Sequence, residues 1–234
     1  GAPPTPNHKN GWSMMAPWYS GRMPENETTL ARVLQSNGYV TGHSGKWHMA
    51  IDHKAFPQPE DQGFDWTRSS RGARSSMPSR VKGFASKVEK DPFRLDKNGY
   101  PFHQTSEDAL TFLRQNHHQP FFLYYATWLV HTPIHTRSEQ LLEKYCRKLG
   151  VEKPKDDRGW TMKGQTNPFY CAMVEELDYH MGKVFNYLNN TEDPRWPGHK
   201  LAENTYVIFT SDNGGMEGNP GEVITDNYPL DKGK

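Results

Sequence analysis

Lys46 and His48 stand two residues apart at the end of Gly38-Tyr39-Val40-Thr41-Gly42-His43-Ser44-Gly45-Lys46-Trp47-His48. In extended backbone, residues i and i+2 share a face, so a cation and an imidazole point into one pocket while Trp47 packs behind them. Such a pair suits an anionic substrate. Two further short apolar runs end in polar groups. The run from Pro120 to Thr127 leads into His131-Thr132-Pro133, and the run from Thr205 to Thr210 ends in Ser211-Asp212-Asn213-Gly214-Gly215. Both are too short to span a membrane and suit buried strands. In open α/β sheets ligands gather beyond the carboxyl ends of the strands, so three strands ending in polar groups predict one shared cleft.

Asp212 and Asn213 offer a carboxylate and an amide oxygen, a hard pair suited to Ca²⁺ or Mg²⁺. Asn213-Gly214 and Gly214-Gly215 are also strong hairpin signals, but Met216 to Gly221 does not read as a returning strand. His131 and His135 have the spacing of a helical zinc pair. Pro133 between them and the absence of a Glu after His131 defeat that pattern. Cys146 and Cys171 have no metal-site spacing and read as free thiols.

The elements that must position these groups alternate. Thr28 is placed to cap a helix carrying Leu30, Val33 and Leu34 on one face, with Gly38 stopping it before the Lys46 strand. Residues 51–103 are polar and turn-rich apart from Gly63-Phe64-Asp65-Trp66, and read as an excursion over the cleft. Thr105 and Asp108 resemble a capping box ahead of Ala109, Phe112 and Leu113, so a helix is expected to feed the strand near Phe121. From Pro168 to Leu188 the apolar positions Met173, Val174, Leu177, Met181, Val184, Phe185 and Leu188 fit helical spacing. This alternation predicts an α/β layered fold. The chain has 234 residues with 18 Pro and 20 Gly, enough for one loop-rich domain over residues 1–234. A formal net charge of +1 gives no overall attraction to nucleic acid or a membrane surface, so anion recognition has to be local.

Gly38 to His48, His131-Thr132-Pro133 and Ser211 to Gly215, in this order, resemble the sulfatase family of the alkaline-phosphatase-like superfamily. Glu175-Glu176-Leu177-Asp178 with Met181-Gly182-Lys183-Val184 resembles the family's long helix before its Asp-Asn strand. Asn227 to Lys234 resembles its Pro-Leu-Arg-Gly-Gly-Lys loop, with Asp231 and Lys232 departing from the usual pattern. The resemblance implies a central mixed, mostly parallel sheet flanked by helices, incomplete at both ends of this sequence. It implies that Lys46 and Lys234 contact the sulfate group and the nucleophile, that His48 lies beside the nucleophile, and that His131 bonds the ester near its leaving oxygen. It assigns Asp212 and Asn213 to a Ca²⁺ or Mg²⁺ site and leaves His135 without a role.

In that family a Cys or Ser in Cys/Ser-x-Pro-Ser-Arg is oxidised to formylglycine, whose hydrate attacks sulfur, and acidic residues near the amino terminus complete the metal shell. Neither segment precedes Lys46, so the sequence reads as an internal fragment, inactive alone. Ser76-Met77-Pro78-Ser79-Arg80 fits the short pattern. It follows Lys46 and lies among Arg71, Arg74 and Lys82, which marks it as a solvated basic loop rather than the nucleophile. The implied activity is metal-dependent hydrolysis of a sulfate ester on a small molecule or glycan, in a periplasmic, secreted or lysosomal setting. A phosphodiesterase or phosphonate hydrolase of the same superfamily, or a noncatalytic binder of sulfated glycans, are the alternatives.

Overall fold

The structure, a computed structural model, describes residues 22–50, 55–71, 83–85, 94–155, 166–215, 225 and 227–230. The described chain is mixed α/β, with a parallel sheet and flanking helices. It divides into two compact units: residues 1–78 with 111–126, and residues 79–110 with 127–234.

The first unit holds the sheet, in the order β2 (Trp66–Arg71), β1 (Val40–Lys46), β3 (Phe121–Ala126). Both pairings are parallel. Along β3 the register runs from Val40 opposite Phe121 to Gly45 opposite Ala126 without a slip. Against β2 it shifts between Ser44 and Lys46, a bulge at the end of the central strand. The polar strand β2 forms inside the stretch read from sequence as an excursion. Its entry is fixed by Asp65, whose carboxylate accepts from both the amide and the hydroxyl of Thr41.

Helix α1 (Leu30–Ser36) starts one residue later than expected, because Thr29 rather than Thr28 caps it, accepting from the amide of Arg32 at 3.2 Å. Its buried residue is Ala31, whereas Leu30 and Val33 are exposed. The apolar core here comprises Ala31, Trp47, Ala50 and Phe64.

Helix α2 (Gln104–Asn116) buries Ala109, Leu110, Phe112 and Leu113. Thr105 lies within the helix, not at its cap, and Asp108 instead accepts from Gln104 Nε2. The second unit adds α3 (Glu139–Leu149), which the sequence reading does not foresee, and α4 (Pro168–Asn190). Ser138 and Asn167 cap their amino ends, and Gly150 ends α3 in the left-handed conformation at φ 67°. Between them Ile134, Leu142, Cys146, Phe169 and Met173 form a core. Cys146 and Cys171 are free thiols.

Residues 205–210 depart most from expectation. They form no strand: Tyr206 is fully exposed, and Ile208 and Phe209 largely so. An apolar run becomes a strand only where another strand accepts its ladder bonds, and none of the described ladders includes residues 205–210.

The ring of Phe112 covers Gly42 in β1 so closely that a Cβ there would meet Phe112 Cε2 at 2.4 Å. Gly42→Ala is expected to destabilise the chain by about 1–3 kcal/mol through overpacking, measured by urea denaturation, and Phe112→Leu in the same chain to recover part of it.

Candidate functional site

The chain beyond β1 does not continue as an extended strand. Gly45 has φ 110° and His48 φ 55°, so the backbone turns as it leaves the sheet. Trp47 nonetheless packs inward, with Nε1 donating to the Pro57 carbonyl at 2.8 Å, while Lys46 is partly accessible and His48 exposed. Trp47 is thus buried as expected, but the extended geometry that was to place Lys46 and His48 on one face gives way to a turn.

His43 holds that turn, and the sequence reading passed over it. Its ring is fully buried against Trp47, Phe64 and Tyr124. Nε2 lies 3.1 Å from the carbonyl oxygen of Lys46, which can only accept, so Nε2 carries the proton and donates. Nδ1 is left to accept from the Thr67 hydroxyl at 3.4 Å. Burial lowers the imidazole to about 4 against an ordinary 6.5, the bond to Lys46 opposing this in part.

His131 belongs to the second unit, in the loop between β3 and α3. Its amide donates to Trp128 O at 2.7 Å, and its ring meets Trp128 edge-on. Nδ1 faces two oxygens of Thr132, the carbonyl at 2.9 Å and the hydroxyl at 3.1 Å. The carbonyl requires a proton on Nδ1, which leaves Nε2 as the nitrogen that can exchange a proton with a ligand. The main chain of His135 donates to Met173 Sδ, a structural contact.

Asp212 and Asn213 lie on an exposed turn. Asn213 Nδ2 donates to Gly214 O at 2.9 Å, and the Ser211 hydroxyl donates to Asn213 O at 2.6 Å. Two oxygens of this kind fit a hard cation in chemistry but supply only part of the about six to eight that Ca²⁺ takes. Among the described residues no group of three or more His, Cys, Asp or Glu could hold a metal. The same turn is tied to the next loop by Asn227, whose Oδ1 accepts from Gly215 N at 3.0 Å and whose Nδ2 donates to Gly215 O at 3.2 Å. The segment expected at a metal and the loop expected to carry the second lysine are thus adjacent. Lys234 itself lies outside the described residues, as does Ser76 to Arg80.

A folded-state value near 4 for His43 means that between about pH 6.5 and 4 the unfolded chain binds the extra proton, so stability falls as pH falls through that window. Burial also brings His180 to about 4, with the same sign. Urea denaturation at about pH 7 and about pH 4.5 is expected to show that His43→Gln removes up to roughly 3 kcal/mol of the acid loss, leaving the His180 part.

Comparison with known proteins comes to one family. A family model described as Sulfatase matches residues 4–234. N-acetylgalactosamine-6-sulfatase of Homo sapiens is 29% identical over 207 residues, 83% of this chain and 34% of that protein. Arylsulfatase of Hemicentrotus pulcherrimus is 27% identical over 216 residues, 85% of this chain and 33% of that protein. An uncharacterised sulfatase of Schizosaccharomyces pombe is 25% identical over 291 residues, 94% of this chain and 49% of that protein. The chain spans about a third of the length of the first two of these relatives.

Proposed function

The chain belongs to the sulfatase family, and from that premise we propose that its protein hydrolyses a sulfate ester, on a carbohydrate or another small molecule, in a metal-dependent reaction. The observation that carries this reading is His131: its Nδ1 is committed to Thr132, so Nε2 is the one ring position that can serve a leaving oxygen. When bound, a divalent cation, Ca²⁺ or Mg²⁺, and a formylglycine hydrate supply charge neutralisation and the attacking oxygen; none of the residues described above provides the latter.

The chain's own residues do the rest. Lys46, and Lys234 in the same reading, offset the negative charge of the sulfuryl oxygens as it redistributes while the S–O bond breaks. His48 moves a proton beside the nucleophile. His131 holds a proton on Nε2 against the leaving oxygen, which lets the alcohol depart neutral rather than as an alkoxide. Asp212 and Asn213 would contribute two oxygens to the cation. Parallel strands β1 and β3 ending at one edge, with Gly45 opposite Ala126, support a cleft at that edge. No helix among the described residues is long and apolar enough to cross a membrane; a periplasmic, secreted or lysosomal setting belongs to the same proposal.

Measured on the full-length protein with formylglycine installed, His131→Ala is expected to slow alkyl sulfate turnover by about 10²–10⁴-fold, and to slow an aryl sulfate with an acidic leaving alcohol much less. Ser76→Ala is expected to leave both rates unchanged. Equal losses for the two esters on His131→Ala count against the leaving-group role, and loss of activity on Ser76→Ala would make that serine the nucleophile.

The 234-residue chain alone is expected to bind Ca²⁺ weakly, because Asp212 and Asn213 supply two of the about six to eight oxygens it takes and no acidic cluster among the described residues adds to them. Tight calorimetric binding that Asp212→Ala abolishes would show a complete site and refute this assignment.

A further inference from the structure

Helix α4 turns polar groups into the protein where an amphipathic reading of its sequence expects apolar ones. Glu176 is 2% exposed and His180, one turn on, 1% exposed, whereas Val174 and Phe185 face outward. A carboxylate withdrawn from water this far is held there only by bonds that replace its hydration. One oxygen of Glu176 accepts from the fully buried hydroxyl of Thr136, and the other lies 3.6 Å from His103 Nε2. The His103 ring meets His180 edge-on at a centroid distance of 4.7 Å, and His180 Nε2 donates to Pro101 O at 2.9 Å. The cluster thus grips two loops, the one around Pro101 to His103 and the one from His131 to Ser138.

The second loop carries the leaving-group histidine. Its far end is anchored at successive residues. Ile134 enters the core with Phe169 and Met173, the His135 amide donates to Met173 Sδ, and Thr136 meets Glu176. Thr136 Oγ1 also accepts from Ser138 N at 3.1 Å, and the Ser138 hydroxyl donates to Gly99 O at 2.9 Å while capping α3. Only Thr132 and Pro133 separate His131 from this anchored stretch, and Thr132 is the residue bonded to the His131 ring.

We propose that Glu176 is a positioning residue for His131: by holding Thr136 against α4 it fixes the loop whose first residues orient the His131 ring. This rests on His131 acting at the leaving oxygen of the ester. Glu176 touches no reacting atom; it acts through Thr136. A hydrogen bond to an ionised acceptor is the stronger kind, which suits a carboxylate rather than an amide at this place.

The test separates orientation from stability. In the ¹⁵N-histidine-labelled chain, a long-range ¹H–¹⁵N correlation spectrum reads the tautomer and ring shifts of His131, assigned by the peak missing in His131→Ala. Thr136→Val, which keeps the shape and removes the hydroxyl, is expected to move the His131 ring signals, and Thr136→Ser to restore them. If Thr136→Val does not fold, Glu176→Gln carries the test with a smaller shift in the same signals. Unchanged His131 signals in the folded variants overturn the proposal.

In the full-length enzyme, Thr136→Val is expected to slow alkyl sulfate turnover by up to about 10²-fold, with aryl sulfate spared as in His131→Ala. The double variant should be no slower than His131→Ala alone. Losses that add overturn the positioning role. A His131→Ala loss without leaving-group selectivity defeats the role of His131 itself, whereas selectivity there and none in Thr136→Val defeats only the inference drawn here.

Discussion

The parallel ladder between β1 and β3 is the constraint on which the rest depends. Its register holds from Val40 opposite Phe121 to Gly45 opposite Ala126, so both strands end at one edge. Each then continues into a segment that the proposed reaction uses, Lys46 to His48 in one case and the approach to His131 in the other. Gly42 under the ring of Phe112 shows how tightly the central strand is covered; the close approach leaves no room for a side chain. A sheet fixes where a loop begins and does not fix where its side chains point.

That second task falls to buried polar groups bonded to backbone or to hydroxyls. In the first unit neutral His43 donates to the Lys46 carbonyl and so sets the turn that puts Trp47 inside and His48 outside. In the second, Glu176 and Thr136 hold the stretch that follows His131. Asn227, only partly buried, ties the Asp212 turn with two bonds to Gly215. Each buried group carries desolvation as its cost and gives a defined loop in return.

Much of this was legible in the residues. The segment at 40–46 and the apolar run at 121–126 are strands, the α2 core positions Ala109, Phe112 and Leu113 are buried, and α4 begins at Pro168. Helix α3 carried readable signals that were passed over: Ser138 before it, Gly150 after it, and Leu142 and Cys146 one turn apart. Strand β2 was not legible, because after Trp66 its residues are Thr, Arg and Ser, which give no apolar alternation to read. The run at 205–210 misled for the opposite reason, since hydrophobicity marks what seeks a partner and not whether one is paired. His43 and Glu176 escaped notice because pattern reading sends polar residues outward; only tertiary contacts reveal a buried bond that keeps one in.

The central claim is that the protein breaks sulfate esters at a site that includes Lys46. Its most direct test compares steady-state hydrolysis of an aryl sulfate and the matching aryl phosphodiester by the full-length protein, wild-type and Lys46→Ala. The account predicts preferred turnover of the sulfate and its loss in Lys46→Ala; preferred turnover of the phosphodiester, or sulfate turnover that survives removal of Lys46, would contradict it.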